Sequence, residues 1–181
     1  MKLKIVKDSN PIMRKKSLEV ELPLCKEDKE LLDSMLDYLV RSQDEEYASK
    51  NNIKAGVGLA AIQVGVLKRM FVIYYTDEEG NETKYQLVNP KITETSVRKC
   101  ALQNGEGCLS VDKQYNGLSH RFFKIKMVAF DAIRNEKIEI TAKGFDAIVL
   151  QHEYDHLDGK FFYDRIDKNA PNTPLAGEEL I

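Results

Sequence analysis

The sequence predicts an α+β fold in which mainly antiparallel sheets pack around a central helix. Five segments with strand character follow one another through short links, and two segments carry apolar residues at helical spacing. Short links favour antiparallel neighbours over repeated crossover units, which place a helix between paired strands. With 181 residues, 43% of them apolar, the chain has the size of one domain that can bury its own core. We therefore expect a single domain over residues 1–181.

The first predicted element is an amphipathic helix from Lys26 to Val40. Its apolar residues recur every three or four positions, and Glu27 and Asp28 lie in the first turn, where the helix dipole favours acidic side chains. The polar stretch from Arg41 to Lys54 is interpreted as a loop. The predicted strands are Met70 to Tyr75, Tyr85 to Val88, Lys91 to Val97, Lys124 to Asp131 and Lys137 to Ala142. Turn-forming residues separate them, including Asn89-Pro90.

A second helix is predicted to begin near Gly144 and to end by Gly159, because glycine commonly follows the last turn of a helix. One face of this helix is apolar and is expected to point inward. That face carries Phe145, Ile148, Val149, His152 and His156. Beyond it, Pro171 and Pro174 exclude a long closing helix and favour an extended carboxy-terminal tail.

The composition argues against several classes of function. Lysine and arginine total 27 against 29 aspartate and glutamate residues, so no positive surplus is available to hold a nucleic-acid backbone. The longest nearly apolar stretch, Ala55 to Val66, is too short to span a bilayer. The segment MKLKIVKDSNP turns polar at once and lacks the apolar centre of a secretion signal. We expect a cytoplasmic protein with no direct nucleic-acid substrate and no membrane contact.

The cysteines do not predict disulfides, because there are three of them and no secretion signal. Cys25 and Cys100 are interpreted as small buried apolar residues. Cys108 differs because it belongs to the segment Gly105-Glu106-Gly107-Cys108-Leu109-Ser110. The two glycines in that segment allow the backbone to come close to a buried ion. Cys108 is therefore a candidate metal ligand.

The segment His152-Glu153-Tyr154-Asp155-His156 matches the pattern H-E-x-x-H. On a helix, two imidazoles four residues apart can chelate one metal ion while the glutamate reaches its water. The alternative is a chance match with two buried histidines. Only three histidines occur in the chain, and two of them lie in this pattern on an apolar face, where unpaired imidazoles would be costly. The pattern therefore favours a metal site.

The third metal ligand has several candidates. Phe162 stands where metzincins carry their third histidine, which excludes that family. His120 is the remaining imidazole. The tail region offers carboxylates at Asp164, Asp167, Glu178 and Glu179. A Cys108 thiolate would instead give a Cys-His-His set with a fourth position open for water.

A further segment, Gly56-Val57-Gly58-Leu59-Ala60-Ala61-Ile62-Gln63, can be mistaken for the dinucleotide fingerprint G-x-G-x-x-G/A. The residues before it, Lys50 to Lys54, are polar instead of a buried strand. The interval from Ala61 to the predicted strand at Met70 is also too short for a crossover helix. The other interpretation is a strand of small residues that approaches a ligand by its main chain and presents the Gln63 amide to it.

In this order and spacing, GVGLAAIQ, EGCLS and QHEYDH resemble the three motifs of peptide deformylases, which remove the formyl group from the starting methionine of new proteins. The resemblance covers nearly the whole chain. The polar stretch before Gly56, the segment after Cys108 and the short tail are similar to the type II branch found in Gram-positive-like bacteria. Ile62, where many members have proline or threonine, and Asp112, where the type I branch has proline, depart from the family pattern without touching the implied ligands.

The resemblance implies a hydrolase that releases formate from N-formylmethionyl nascent peptides, with the ribosome near the exit tunnel as a possible partner. The implied metal ligands are Cys108, His152 and His156. Glu153 is implied as the general base, and the Gln63 amide and the backbone N–H of Leu109 as donors to the formyl oxygen. Fe(II) is the metal expected in the cell, while Zn(II), Ni(II) and Co(II) suit the same ligands.

The family's pocket for the methionine side chain is matched by Val57, Gly58, Phe145, Ile148 and Val149, although the same positions suit an ordinary core. Candidates for pairing around the histidines are Glu106, Asp155 and Arg121. Two other functions stay open. One is a zinc endopeptidase with the same H-E-x-x-H helix and a carboxylate or histidine as third ligand. The other is a non-catalytic module with a structural metal, which normally has four protein ligands.

Overall fold

The computed structural model describes residues 3–181, so Met1 and Lys2 of the expected domain lie outside the described residues. The helices are α1 (Lys26–Ser42), α2 (Glu45–Asn51) and α3 (Gly144–Leu157). The strands are β1 (Gly58–Ala60), β2 (Met70–Thr76), β3 (Glu82–Thr95), β4 (Lys99–Ala101), β5 (Arg121–Phe122), β6 (Lys124–Asp131), β7 (Glu136–Lys143) and β8 (Glu179–Leu180). Short 3-10 turns occupy Pro11–Arg14, Ala61–Val64 and Phe162–Arg165. Among residues 3–181, no helix has both the length and the apolar character needed to cross a bilayer.

The strands form two sheets. The larger has five strands in the order β1-β2-β3-β6-β7, and all its neighbours are antiparallel. The smaller has the order β5-β4-β8, in which β4 pairs antiparallel with β5 and parallel with β8. The α+β prediction is confirmed, including its mainly antiparallel sheets. After α3 the tail contains no further α-helix within the described residues and ends in the short strand β8.

Strand β2 lies between two apolar cores because its side chains alternate between the faces of the sheet. Met70 and Val72 belong to the core that contains Met35 of α1. Phe71 belongs to the other core, together with Leu150 of α3. Because both faces are covered, most of β2 is buried and its sequence is an apolar run instead of an alternating pattern. Helix α3 is therefore held in the interior, on the opposite side of the sheet from α1.

Helices α1 and α3 confirm both predicted helices, and α3 begins at the predicted Gly144. The interpretation of residues 41–54 as a loop is wrong, because α1 continues to Ser42 and α2 follows. Asp44 caps α2 by accepting a hydrogen bond from the Tyr47 N–H at 2.8 Å. Helix α2 has no buried residue, so it carries no apolar face that periodicity could reveal.

The expected turn at Asn89-Pro90 is a bulge within one long strand. Strand β3 runs through both residues, and its register against β6 shifts between Val88 and Lys91. Asn89 has a φ of 49°. Its side chain forms 2.8 Å hydrogen bonds with the backbone N–H and carbonyl of Val20. The two predicted strands are therefore joined, and a distant residue holds the bulge between them.

The cysteines follow the sequence prediction in part. All three are free, and Cys100 is buried as expected. Cys25 is exposed, so its interpretation as a buried residue is wrong. It precedes α1 as the N-cap residue, where its backbone is extended and its side chain forms no capping hydrogen bond. The position at the end of a surface helix explains the exposure.

Gly159 follows α3 and lies against the backbone of the amino-terminal 3-10 turn. Its φ is +68°, and a Cβ there would lie 2.4 Å from the carbonyl oxygen of Arg14. We expect Gly159→Ala to lower the free energy of unfolding by at least about 2 kcal/mol, since both the left-handed backbone and the overlap oppose a side chain. Urea denaturation measures the loss.

Gly80→Ala is the matched control for this prediction. Gly80 also has a positive φ, +86°, but a Cβ there would meet nothing within 4 Å. Its substitution isolates the conformational penalty, which is about 1 kcal/mol. Equal losses in the two variants would show that the contact with Arg14 has no effect on stability.

Candidate metal centre

Helix α3 is enclosed by protein on nearly all sides, which places its polar motif in the interior. From Ala147 to Leu157 every residue except Tyr154 is buried. His152 is 9% exposed and His156 is fully buried. Residues four apart lie on one face of a helix, and the two imidazole centroids are 4.9 Å apart. The motif therefore presents two ring nitrogens to one buried space.

Cys108 reaches the same space from the loop between β4 and β5. Its Sγ lies 3.3 Å from Nε2 of His156. One ligand atom from each of Cys108, His152 and His156 lies within 4.8 Å of the others, and all three residues are buried. A thiolate and two imidazoles are donors that first-row transition metals bind in proteins. The residues present therefore fit a divalent transition-metal ion.

Glu106 orients the first of the histidines. Nδ1 of His152 donates to Oε2 of Glu106 at 2.7 Å. This bond leaves Nε2 as the ring nitrogen that can bind a metal ion. Glu106 also accepts hydrogen bonds from Arg121 at 2.5 and 2.8 Å. Burial by itself would raise the pKa of Glu106, but Arg121 and His152 outweigh it and hold this pKa at about 2. The carboxylate therefore stays charged at neutral pH.

The same arginine links this pair to α3 and to the tail. Arg121 is fully buried, and its third guanidinium nitrogen, Nη1, donates to Asp155 at 3.0 Å. Arg165 of the tail donates to both carboxylate oxygens of Asp155. Two cations and two carboxylates thus balance, and all but the partly exposed Arg165 are buried. Of the three pairing candidates Glu106, Asp155 and Arg121, Glu106 is the one that contacts a motif histidine.

Glu153 lines the same space as Cys108 and His152. It is 4% exposed, and within residues 3–181 its Oε2 has no hydrogen-bond partner. Burial raises the pKa of Glu153 to about 7, against the lowering effect of His152 and Arg121. A cation held nearby would lower this pKa. A Cβ at Gly58 would lie 2.3 Å from Oε1, so the glycine provides the space that the carboxyl group occupies.

Gln63 and Leu109 both line the space beside Cys108. The Gln63 Oε1 accepts a hydrogen bond from the Ala60 N–H at 2.8 Å, which directs the amide nitrogen toward the Cys108 loop. That nitrogen lies 3.1 Å from Oγ of Ser110 and 3.4 Å from Sγ of Cys108. The N–H of Leu109 has no acceptor within the described part of the chain. The Gln63 amide and the Leu109 N–H are thus the hydrogen-bond donors of two residues that line the candidate site.

A cavity of about 220 Å³ opens next to these groups. All five residues proposed for the methionine pocket line it: Val57, Gly58, Phe145, Ile148 and Val149. Phe145 is 38% exposed, so its expected inward orientation is wrong and the buried face of α3 begins after it. Lys54 and Leu102 also line the cavity, although no motif in the sequence marks either residue.

The other candidates for the third ligand have different partners. His120 donates to Glu178 at 2.8 Å, Asp164 pairs with Arg14, Glu179 pairs with Arg98, and Asp167 accepts from the backbone of Asn169. None of them belongs to the group of metal donors found among residues 3–181. The geometry disfavours a carboxylate-completed zinc endopeptidase. Three donors also differ from the four of a closed structural site.

Comparison with known proteins identifies the family. A family model described as polypeptide deformylase matches residues 2–172. The chain belongs to the polypeptide deformylase family. A peptide deformylase of Macrococcus caseolyticus is 48% identical over 168 residues, which cover 92% of this chain and 91% of that protein. A peptide deformylase 2 of Geobacillus stearothermophilus is 46% identical over 167 residues, which cover 92% of this chain and 90% of that protein.

Solved structures agree with this membership. A probable peptide deformylase from Synechococcus phage S-SSM7 has a TM-score of 0.74 at 38% identity. The match covers 91% of this chain and 100% of that chain. Arabidopsis thaliana peptide deformylase 1B, in complex with an inhibitor, has a TM-score of 0.74 at 32% identity, covering 92% and 83%. Members of the polypeptide deformylase family are metal-dependent enzymes that remove the N-formyl group from nascent peptides, so the endopeptidase alternative is not favoured. The type II assignment stays a prediction.

The hydrogen bond from His152 to Glu106 generates a prediction about metal affinity. We expect Glu106→Gln to weaken metal binding about 10- to 100-fold, because the amide replaces a charged acceptor that orients the imidazole. Competition with a chromogenic chelator measures the affinity.

Asp112→Asn removes the same charge from the same loop and serves as the control. The Asp112 carboxylate is exposed and pairs with Lys7 instead of a histidine. The metal affinity of the Asp112→Asn variant should match that of the wild type. A similar loss in both variants would attribute the effect to net charge and contradict the orienting role of Glu106.

Proposed function

We propose that one catalytic domain over residues 1–181 deformylates the initiator methionine of nascent peptides, with the metal held by Cys108, His152 and His156. One observation carries this proposal: the Glu153 carboxyl group, with one oxygen unpaired among residues 3–181, lines the same largely apolar cavity as the metal donors Cys108 and His152. A proton acceptor, an ion site and a side-chain pocket thus share one enclosed space.

Glu153 moves the protons in this proposal. The metal, when bound, polarises the formyl carbonyl and makes the attacking water more acidic. Glu153 takes a proton from that water and gives it to the leaving amine as the C–N bond breaks. Its carboxyl group keeps its position because it packs against Gly58. The products are formate and a free amino terminus.

Gln63 and Leu109 meet the charge that develops on the formyl oxygen. The Gln63 amide nitrogen and the Leu109 N–H are the proposed donors, and both residues line the cavity. The hydrogen bond from Ala60 holds the Gln63 side chain in orientation before substrate arrives. Donors oriented in advance stabilise a transition state without a further cost of rearrangement.

The cavity wall binds the methionine side chain. The proposed contacts are Val57, Gly58, Phe145, Ile148 and Val149. Ile148 and Val149 supply buried apolar surface, and the Phe145 ring is held edge-on by Tyr75 at a centroid distance of 5.3 Å. An unbranched thioether chain fits such a surface well.

Fe(II) is the metal that we propose for the cell, and Zn(II), Ni(II) or Co(II) suit the same thiolate and imidazole donors in purified protein. The partners are N-formylmethionyl nascent peptides. Because these peptides arise during translation, we place the enzyme in the cytoplasm, with the ribosome near its exit tunnel as a further partner. The formal net charge of −2 argues against a nucleic acid as a direct substrate.

The division of roles can be tested with Glu153→Ala. We expect this variant to keep its metal and to lose at least about 100-fold in kcat, since the carboxylate transfers protons and does not coordinate. Metal analysis and steady-state kinetics provide the two measurements. Cys108→Ala should show the reverse order, with metal affinity lost first. Metal loss in the Glu153 variant would make Glu153 a ligand and overturn the mechanism.

The choice of iron leads to a prediction about stability in air. An Fe(II) site with a thiolate ligand and an open position is sensitive to dioxygen and peroxide. We expect the iron form to lose activity in air several times faster than the nickel form prepared from the same protein. Equal half-lives of the two forms would speak against a redox-sensitive iron centre.

Substrate choice tests the proposed function itself. The carbonyl oxygen must reach Gln63 and Leu109 while its carbon faces the attacking water, which leaves room for hydrogen but not for a methyl group. We expect formyl-methionyl tripeptides to have a kcat/KM at least about 100-fold above acetyl-methionyl ones. Formyl-alanyl tripeptides should lose about 10- to 100-fold, because a poorer fit to an apolar pocket costs about 1 to 3 kcal/mol. Efficient cleavage of the acetyl peptide, or of an internal bond, would refute deformylation.

A further inference from the structure

Lys54 forms a hydrogen bond that the proposed mechanism does not yet use. Its Nζ donates to the carbonyl oxygen of Cys108 at 3.1 Å. A Cβ at Gly107 would lie 3.9 Å from the same nitrogen, so the ammonium group rests over a glycine backbone. Lys54 also lines a second cavity, of about 290 Å³, together with residues of the Cys108 loop. The lysine therefore holds the peptide of a metal-donor residue while lying outside all three motifs.

The Lys54 contact also constrains the direction of the Leu109 N–H, because both groups belong to one peptide bond. The one cis peptide within residues 3–181 is Leu22-Pro23, so the bond from Cys108 to Leu109 is trans. In a planar trans peptide the C=O and the N–H point in opposite directions. The Cys108 oxygen is held by Lys54 and by the Val111 N–H at 3.2 Å. The Leu109 N–H is thereby turned away from Lys54.

We propose that Lys54 is a positioning residue that aims and polarises the Leu109 N–H toward the formyl oxygen. A cation bonded to the C=O of an amide draws electron density toward that oxygen and makes the N–H of the same amide a stronger donor. Negative charge develops on the formyl oxygen in the transition state. A stronger donor that is already oriented therefore stabilises the transition state more than the bound substrate. The inference rests on the role of Leu109 in the proposed function and adds a cation that acts through the backbone.

Lys7 provides a matched comparison inside the same loop. Its Nζ donates to the carbonyl oxygen of Leu109 at 3.3 Å. That carbonyl belongs to the next peptide, whose N–H is that of Ser110. Lys7 thus makes the same kind of contact one peptide further along, although its ammonium group also pairs with Asp112 at 2.6 Å. It does not polarise the Leu109 N–H.

The kinetic test compares Lys54→Met, Lys54→Arg and Lys7→Met, each with its metal content measured. Complete removal of an oxyanion donor costs about 100- to 1,000-fold in kcat, so loss of its polarising cation should cost about tenfold. We expect Lys54→Met to lower kcat by about this factor with little change in KM and with wild-type metal content. Lys54→Arg should recover most of the rate, and Lys7→Met should keep it.

A spectroscopic test reads the peptide directly. Cys108-Leu109 is the sole Cys-Leu pair in the sequence, so carbonyl-¹³C cysteine with ¹⁵N leucine gives a single HNCO cross-peak. In zinc-loaded protein we expect Lys54→Met to move the carbonyl resonance upfield, since a charged hydrogen bond is lost. The Lys54→Arg cross-peak should lie near that of the wild type. An unmoved cross-peak in Lys54→Met would overturn the inference independently of activity.

The alternative role for Lys54 is capture of a carboxylate at the end of the test peptide. Substrates with free and amidated carboxy termini separate the two roles. A rise in KM confined to the free-carboxylate peptide would assign Lys54 to substrate binding and refute the positioning role. Equal losses in Lys54→Met and Lys7→Met would attribute the effect to net charge. If the wild type fails to deformylate either peptide, the proposed function itself is wrong, while the HNCO result still reports on the contact.

Discussion

The buried guanidinium of Arg121 connects the Cys108 loop to helix α3 and, through Asp155, to the carboxy-terminal tail. It bonds Glu106 in the Cys108 loop and Asp155 on α3, and Asp155 in turn bonds Arg165 in the tail. Removing one partner from such a network leaves a charge without compensation in the interior, which is strongly unfavourable. Alternative positions of the loop relative to the helix are penalised in the same way. The network therefore favours one position of the Cys108 loop relative to α3.

The surroundings of α3 explain how a polar motif can operate in the interior. The helix lies against one face of the larger sheet, and apolar residues from the sheet and from the helix form a common core around it. Water is largely excluded there, so each ion pair and hydrogen bond acts at a low effective dielectric constant. Within residues 3–181, one oxygen of the buried Glu153 has no protein partner. Enclosure thus strengthens the contacts that orient His152.

Periodicity and turn residues were sufficient for α1, α3, β2, β6 and β7, and the approach of His152 to His156 follows from their spacing on one helix. Helix α2 was missed because it buries no side chain. Strands β4, β5 and β8 have only two or three residues each, too few for a period to appear. The bulge at Asn89 and the contact of Lys54 with Cys108 depend on residues that are distant in sequence. Local patterns do not contain that information.

The two glycines of the GVG segment limit how the cavity can be redesigned. A Cβ at Gly56 would lie 2.8 Å from a methyl carbon of Leu109, and one at Gly58 would overlap the Glu153 carboxyl group. A variant library aimed at formylated residues other than methionine would therefore lose active clones at both positions. Val57 lies between them and lines the same cavity, as does the half-exposed Phe145. We therefore expect substitutions at these two positions to change the cavity wall while the proposed catalytic groups keep their places.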